Sequence, residues 1–528
     1  MTVKQTTSTV TSVINGSRDV APTDRVIEAR NPSDLEEVVA EIHLATPEGF
    51  AQACRAARDG QPQWAATPAP GRGEVIANVA HLVRENKDEL AAYMTREVGK
   101  TTAEALGEVQ EVIDTCEFFL GEGRRLYGMT VPSEMPDKQL MTFRMPVGVV
   151  AVITAGNFPT AVPSWYMVPA LLCGNTVVWK PADYAGATAQ AMAELFWHAG
   201  VPAEVLHLVQ ADGESTFRGL ELALDQGTVD KVGFTGSTDV GRRIGALCGA
   251  HLQSPCLELG GKNPLVVMRD ADLDLAVEGA LFSGFGTAGQ RCTSLGTVIV
   301  DEAVHDDFLE RLVAATERAP IGDPTEDVLY GPMMHERFLE RFEDRWLGLI
   351  EGHHAVHGSQ GVGRITAQNP RRGFAGEDPE RGLFVHPTIV SGVRADDELA
   401  TTETFGPLVG VARFGDWEEA MALANGHGYG LSAAVYTESP RTAFRFREAV
   451  SSGMVSINNS TSGAEAHLPF GGNGKSGNGS RQSGMWVLDQ FTRWQSMNWD
   501  YAGKLQKAQM DVVEIDAQAD FRLEERAF

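Results

Sequence analysis

From Val147 onward the chain repeats one pattern: a short run rich in β-branched residues, then a longer stretch with apolar residues at helical spacing, then another run. Residues 149–153, 176–179, 205–209 and 231–234 are the predicted strands of a first set, with Leu171 and 187–197 in the helices between them. Strand, helix, strand in repetition reads as a parallel sheet with helices on both faces. Such sheets take ligands outside the carboxyl ends of their strands. A second set begins after Gly260, with strands at 265–268 and 297–300, helices at 273–282 and 308–316, and further strands at 409–414, 432–436 and 454–458. The pattern predicts an α/β fold built on parallel sheets.

Ahead of the first set, apolar residues recur at helical spacing through 72–126, as at Val75, Val79, Leu82 and Val83. Segment 141–147 alternates like a strand, and Pro146 confines it to an edge or a strand end. Segment 487–499 is predicted as one more strand. Residues 1–12 are polar and threonine-rich and are expected to be mobile. Residues 352–384 are glycine-rich and polar, which predicts a surface excursion. Residues 504–528 form an acidic extension to which the sequence assigns no role.

At 528 residues the chain exceeds what one hydrophobic core serves and implies two or three domains. Its 43% hydrophobic and 22% charged content is that of a soluble globular protein. The formal charge, 44 minus 71 or −27, argues against a nucleic-acid partner or an anionic membrane surface. Apolar runs such as 147–153 fall far short of the roughly 20 residues that span a bilayer. The six cysteines show no metal-binding spacing, so no metal is expected. They read as reduced thiols in a cytoplasmic protein, one of them reactive.

That one is Cys292, in the stretch FGTAGQRCTS at 285–294. A thiolate approached by substrate on one side and cofactor on the other needs such bare backbone. Four more stretches keep it company: LELGGKNP at 257–264, GFTGSTDVG at 233–241, WKPAD at 179–183 and ETFGPL at 403–408. In this order and at these separations they resemble the aldehyde dehydrogenase superfamily, and the resemblance runs from about Val13 to about Trp499. It implies a Rossmann-type NAD-binding domain (13–137 and 148–259), an α/β catalytic domain (260–484) and a small β arm (138–147 and 485–503) that builds a homodimer or homotetramer.

The implied reaction is oxidation of an aldehyde to the acid through a thiohemiacetal and a thioester on Cys292. Asn157, in ITAGNFP, matches the family's oxyanion donor. The family more often has proline and tryptophan where this chain has Ala155 and Gly156, which is expected to widen the site. Glu258 matches the base that activates the hydrolytic water, and burial should raise its pKa; an ion pair with Lys262 is the structural alternative. Relatives that pass the thioester to coenzyme A usually lack this carboxylate, so hydrolysis is expected.

On the cofactor side, Thr154, Lys180, Asp183, Gly236, Ser237, Glu403 and Phe405 match the family's NAD contacts. A carboxylate at Asp183 favours NAD, and its shortness relative to the usual glutamate leaves NADP open. On the substrate side, Arg291 is a candidate partner for a substrate carboxylate. Ser462, Gly463 and Ala464, in TSGAE, resemble the aldehyde anchor loop of the antiquitin-like branch, which oxidises α-aminoadipic semialdehyde. Glu111, in GEVQE, matches that branch's contact to the substrate amine. WKPAD, LELGGKNP and GEGRRL at 121–126 look more like the ketoglutarate-semialdehyde and other bacterial semialdehyde enzymes. A carboxylated semialdehyde is therefore the expected substrate; the alternatives are a neutral aldehyde, a thioester hydrolase or a non-catalytic member.

Overall fold

The computed structural model describes residues 7–18, 25–347, 355–357, 361–505, 507 and 516–523. Its first sheet has five strands, in the order Cys256–Glu258, Lys231–Thr235, Val149–Ile153, Thr176–Lys180 and Leu206–Leu208, all parallel. These strands are buried along their whole length, which explains why they read as continuous apolar runs. The chain enters in the middle at Val149–Ile153, runs outward to Leu206–Leu208, then returns to the other side at Lys231–Thr235. The direction of winding therefore reverses between Val149–Ile153 and Lys231–Thr235, and a crevice opens at their carboxyl ends.

The second sheet has seven strands, in the order Ala355–His357, Thr388–Ser391, Leu408–Phe414, Leu295–Asp301, Asn263–Val267, Ser432–Tyr436 and Met454–Ile457. It is parallel except for its first edge strand. The predicted helical stretch resolves into Ala69–Glu85, Lys87–Val98 and Thr102–Glu122, and a further helix, Pro47–Ala66, precedes it. Thr101 caps the last of the three, accepting from Glu104 N while its hydroxyl donates to the Glu104 carboxylate. That cap brings Glu104 to the nucleophile loop.

Three expectations are corrected, and the one for Pro146 is met at the strand end. Ser8–Val10 is a strand parallel to Asp34–Leu44, so mobility does not extend to residues 8–10; residues 1–6 lie outside the described ones. Within 352–384, Ile365, Leu383 and Phe384 are buried in the core beneath the second sheet, and the Arg371 guanidinium donates to the Thr316 and Ala319 carbonyls. Apolar residues that sparse leave no periodicity to read. Met485–Val487 and Leu488–Phe491 are helical turns, so the strand is only Thr492–Asp500. Leu488 and Phe491, three apart, both bury, as a helical turn permits and a strand does not. That strand pairs antiparallel with Lys138–Pro146, which is flanked on its other side by Thr130–Val131, and Pro146 sits at its end. Lys138–Pro146 is thus the middle strand of three, its proline placed where the ladder stops. Much of the acidic extension lies outside the described residues; 516–523 are exposed.

Candidate active site

The helix Leu273–Phe285 stops seven residues before Cys292 (292 minus 285), and Thr287, Ala288 and Gly289 then take left-handed backbone, with φ of 52°, 52° and 68°. A left-handed β-branched residue is costly and persists only where its surroundings hold it. Here the Glu104 carboxylate accepts from Thr287 N at 2.9 Å and from its hydroxyl at 3.0 Å. Gly289 is required, since a Cβ there would lie 2.1 Å from the Gly406 carbonyl oxygen. Beyond the turn, Asn263 Nδ2 donates to the Cys292 carbonyl at 2.9 Å, and the backbone N–H groups of Cys292 and Thr293 are directed at the sulfur. Cys292 is half-buried, whereas the other five cysteines are buried. Burial pushes its thiol up, the charges of Glu258 and Glu403 add to that, and the two N–H groups oppose it.

Cys292 lines two clefts at once. The first continues from the crevice of the five-stranded sheet. Thr154, Lys180, Asp183, Gly236 and Ser237 line its far end, and Glu403 and Phe405 its near end. Ser237 caps the helix Thr238–Ala250, accepting from Val240 N at 3.4 Å, so the positive end of that helix opens on the cleft. Lys180 is buried, and desolvation lowers its pKa while Asp183 opposes the shift. Trp179 Nε1 donates to the Thr154 hydroxyl at 3.1 Å. Burial pushes the Glu403 carboxyl up to about 7, and it accepts from Gly261 N at 3.2 Å. A helix N-terminus at the winding reversal, a lysine and carboxylate at one end and a half-buried glutamate at the other form a set of polar groups that fits a nicotinamide dinucleotide.

Two residues here escaped the sequence reading. Arg337 donates to both Asp183 carboxylate oxygens, at 2.8 and 3.2 Å, and lies over the Tyr184 ring. Tyr184 also overturns the expectation that Ala155 and Gly156 widen the site. Its ring fills the space beside Gly156, where a Cβ would come within 2.6 Å of it, and its hydroxyl accepts from Gly156 N at 3.2 Å.

The second cleft lies on the other side of Cys292 and is lined by Glu111, Arg291 and the loop Ser462, Gly463 and Ala464, among others. Arg291 is not a free cation: it pairs with Glu104, donates Nε to the Thr287 hydroxyl at 3.0 Å and lies over the Phe282 ring. Lys100 is likewise paired, with Glu108. Glu111 Oε1 is buried with no hydrogen-bond partner, and burial with the nearby Glu108 charge pushes this carboxyl up to about 8. The Ser462 and Thr293 hydroxyls are 3.1 Å apart, which ties the loop to the residue after the nucleophile.

Asn157 Nδ2 donates to the Gln290 carbonyl at 2.8 Å, which fixes its amide two residues from Cys292. Replacing Asn157 with alanine should lower kcat ~100- to 1000-fold, about 3 kcal/mol, as expected for one oxyanion donor; steady-state kinetics checks this, and a loss under tenfold would remove Asn157 from that role. Glu258 is 1% exposed and does not pair with Lys262: its Oε1 and the Lys262 Nζ are both buried without a hydrogen-bond partner. Burial holds the Glu258 carboxyl well above the usual carboxylate range, with Arg481 opposing. With its amide oriented to satisfy its neighbours, Gln482 donates to Glu258 Oε2 at 3.3 Å and to the Phe470 carbonyl at 3.1 Å.

A half-buried thiol where a dinucleotide crevice meets a second cleft defines a cysteine-dependent oxidoreductase. The chain belongs to the aldehyde dehydrogenase family, which residues 20–497 match. It is an NAD(P)-dependent aldehyde dehydrogenase. Over 493 residues it is 35% identical to the α-ketoglutaric semialdehyde dehydrogenase of Bacillus subtilis, covering 93% of this chain and 98% of the relative. It is 37% identical to the NADP(+) succinate-semialdehyde dehydrogenase of Escherichia coli, covering 90% of this chain and 95% of that one. Among solved structures, betaine aldehyde dehydrogenase from Staphylococcus aureus in complex with NAD+ superposes with a TM-score of 0.88 at 27% identity, over 94% of this chain and 95% of that one. Among the described residues no helix is long and apolar enough to cross a membrane.

Proposed function

We propose that this enzyme oxidises a carboxylated semialdehyde to the free dicarboxylic acid, with Cys292 as nucleophile, Asn157 as oxyanion donor and Glu258 as the base for hydrolysis. The observation that carries this reading is the position of Cys292 on both clefts. Its thiolate adds to the carbonyl carbon from the substrate cleft, and the oxyanion meets the Asn157 amide and backbone N–H of the nucleophile loop. A bound nicotinamide in the other cleft supplies the hydride acceptor; Lys180, Asp183, Ser237 and Glu403 would hold the dinucleotide. Collapse of the tetrahedral adduct leaves a thioester on Cys292. Glu258 then takes a proton from water, the hydroxide attacks the thioester carbon, and the C–S bond breaks to release the acid.

Two observations support a substrate that carries its own carboxylate. Both the B. subtilis and E. coli relatives are named for semialdehydes of this type. In the cleft, Arg291 retains N–H donors beyond those given to Glu104 and Thr287, and an uncharged Glu111 is a hydrogen-bond donor rather than a repelling anion. Relative to a neutral aldehyde of equal length, kcat/KM for such a semialdehyde should be ~10- to 100-fold higher, the worth of one charge-assisted contact. Arg291→Ala should erase most of that preference. If neutral aldehydes are preferred, or the Arg291 variant keeps the preference, the substrate class is wrong while the cysteine chemistry stands.

The same reading assigns 13–137 and 148–259 to cofactor binding, 260–484 to catalysis, and 138–147 with 485–503 to the arm of a homodimer or homotetramer in the cytoplasm, without nucleic-acid partners. Supporting the arm, Trp494 and Trp499 are 49% and 56% exposed on Thr492–Asp500, and Phe143 is exposed on the strand beside it. Supporting the last point, the chain's net charge is −27.

A further inference from the structure

A free carboxylate at the ribose end of a dinucleotide cleft repels a 2′-phosphate, and on that ground Asp183 alone would make this an NAD enzyme. In the folded protein Asp183 is not alone. Both its oxygens accept from Arg337, and the pair leaves each partner partly accessible, with side-chain exposures of 20% for Asp183 and 46% for Arg337. The guanidinium carbon lies 4.6 Å from the Tyr184 ring centroid and 5.3 Å from that of Phe338. The two-point pair with Asp183 and these ring contacts orient the guanidinium before any phosphate arrives, which lowers the ordering cost of such a contact.

The charges around this end of the cleft support the same conclusion. Lys180 and Arg337 are two cations against the one carboxylate of Asp183, a surplus of one positive charge. The next acidic neighbour, Asp212, is paired with Arg25 at 2.7 Å. A guanidinium has five N–H donors, of which Asp183 uses two. Arg337 stands on the helix Glu336–Phe342, which lies in the chain between the strands Leu295–Asp301 and Ala355–His357 of the second sheet, and reaches Asp183, three residues past the end of the first sheet's strand Thr176–Lys180.

We propose that Arg337 is the 2′-phosphate contact of a dual-specificity cofactor site, neutralising Asp183 when NAD is bound and taking the phosphate monoester when NADP is bound. The ion pair acts as an exchangeable clamp: Asp183 remains an acceptor for a ribose hydroxyl, and the guanidinium has N–H groups to spare for a phosphate oxygen. The inference rests on the cofactor crevice of the proposed function and is independent of which aldehyde is oxidised.

The test is equilibrium binding, by isothermal titration calorimetry on the full chain, of NAD and NADP and of the fragments 5′-AMP and 2′,5′-ADP. The unaltered protein should bind NADP within about tenfold of NAD, because the phosphate's repulsion and its charge-assisted contact nearly offset each other. Arg337→Gln should raise the ratio Kd(NADP)/Kd(NAD) by about tenfold or more, the loss expected for one charge-assisted contact. The same shift should appear in 2′,5′-ADP over 5′-AMP, which places it at the phosphate. Arg337→Lys, which keeps the charge and loses the fork, should give an intermediate ratio and serves as the reading if the glutamine variant does not fold. An unchanged or lowered ratio, or an unaltered protein that binds NAD but not NADP, overturns the proposal. Binding that follows the expected ratios in a protein that oxidises no aldehyde would instead count against the proposed function alone.

Discussion

An alanine at Cys292 should end aldehyde oxidation, with a fall in kcat of ~10⁴-fold or more, because no other group can form the thioester. The five remaining cysteines are buried, whereas Cys292 is half-buried and lines both clefts, so a substrate that reaches Cys292 does not reach the others. Formation of reduced nicotinamide, followed by absorbance, checks the loss, and cofactor binding in the same variant shows that the fold persists. A residual rate within tenfold of the unaltered protein would take covalent catalysis out of the mechanism. The left-handed turn at Thr287 and Ala288 argues in the same direction, since strain of that kind survives where geometry at the next few residues is being fixed.

Glu258→Gln should separate the two halves of the reaction. Acylation and reduction of the cofactor proceed once, and the thioester then waits for a base that is gone. Rapid mixing should show a burst of about one reduced nicotinamide per active site, followed by turnover slowed ~100- to 10,000-fold. Absence of a burst together with normal turnover would show that another group activates the water. The sign of the pH dependence follows from burial. A base works only once deprotonated, and the Glu258 carboxyl lies well above its ordinary range, so the acid limb of the unaltered enzyme's deacylation moves to higher pH and disappears in the variant.

What the sequence made legible was whatever depends on neighbours in the chain. Cys292 and Glu258 each sit in a short stretch of small and apolar residues, and the continuous apolar strands of the first sheet announce themselves because they are buried on both faces. The Asp34–Leu44 ribbon was missed because its burial is uneven and charged residues interrupt it. Pairings across the fold were missed for a different reason. Arg337 meets Asp183 across 154 residues, and Arg291 meets Glu104 across 187, distances over which no periodicity connects two side chains. Arg291, read as a candidate partner for a substrate carboxylate, is held by Glu104, while Glu111 Oε1 in the same cleft is buried without a hydrogen-bond partner.

The fit of Tyr184 against Gly156 makes the side chain allowed at one position depend on the other. With a Cβ at 156 arriving 2.6 Å from the ring, any larger residue there is tolerated only after Tyr184 shrinks, and a smaller residue at 184 opens a hole that glycine cannot fill. Neither single change is neutral. The two positions are therefore energetically coupled, and the cost of changing both together departs from the sum of the two single changes.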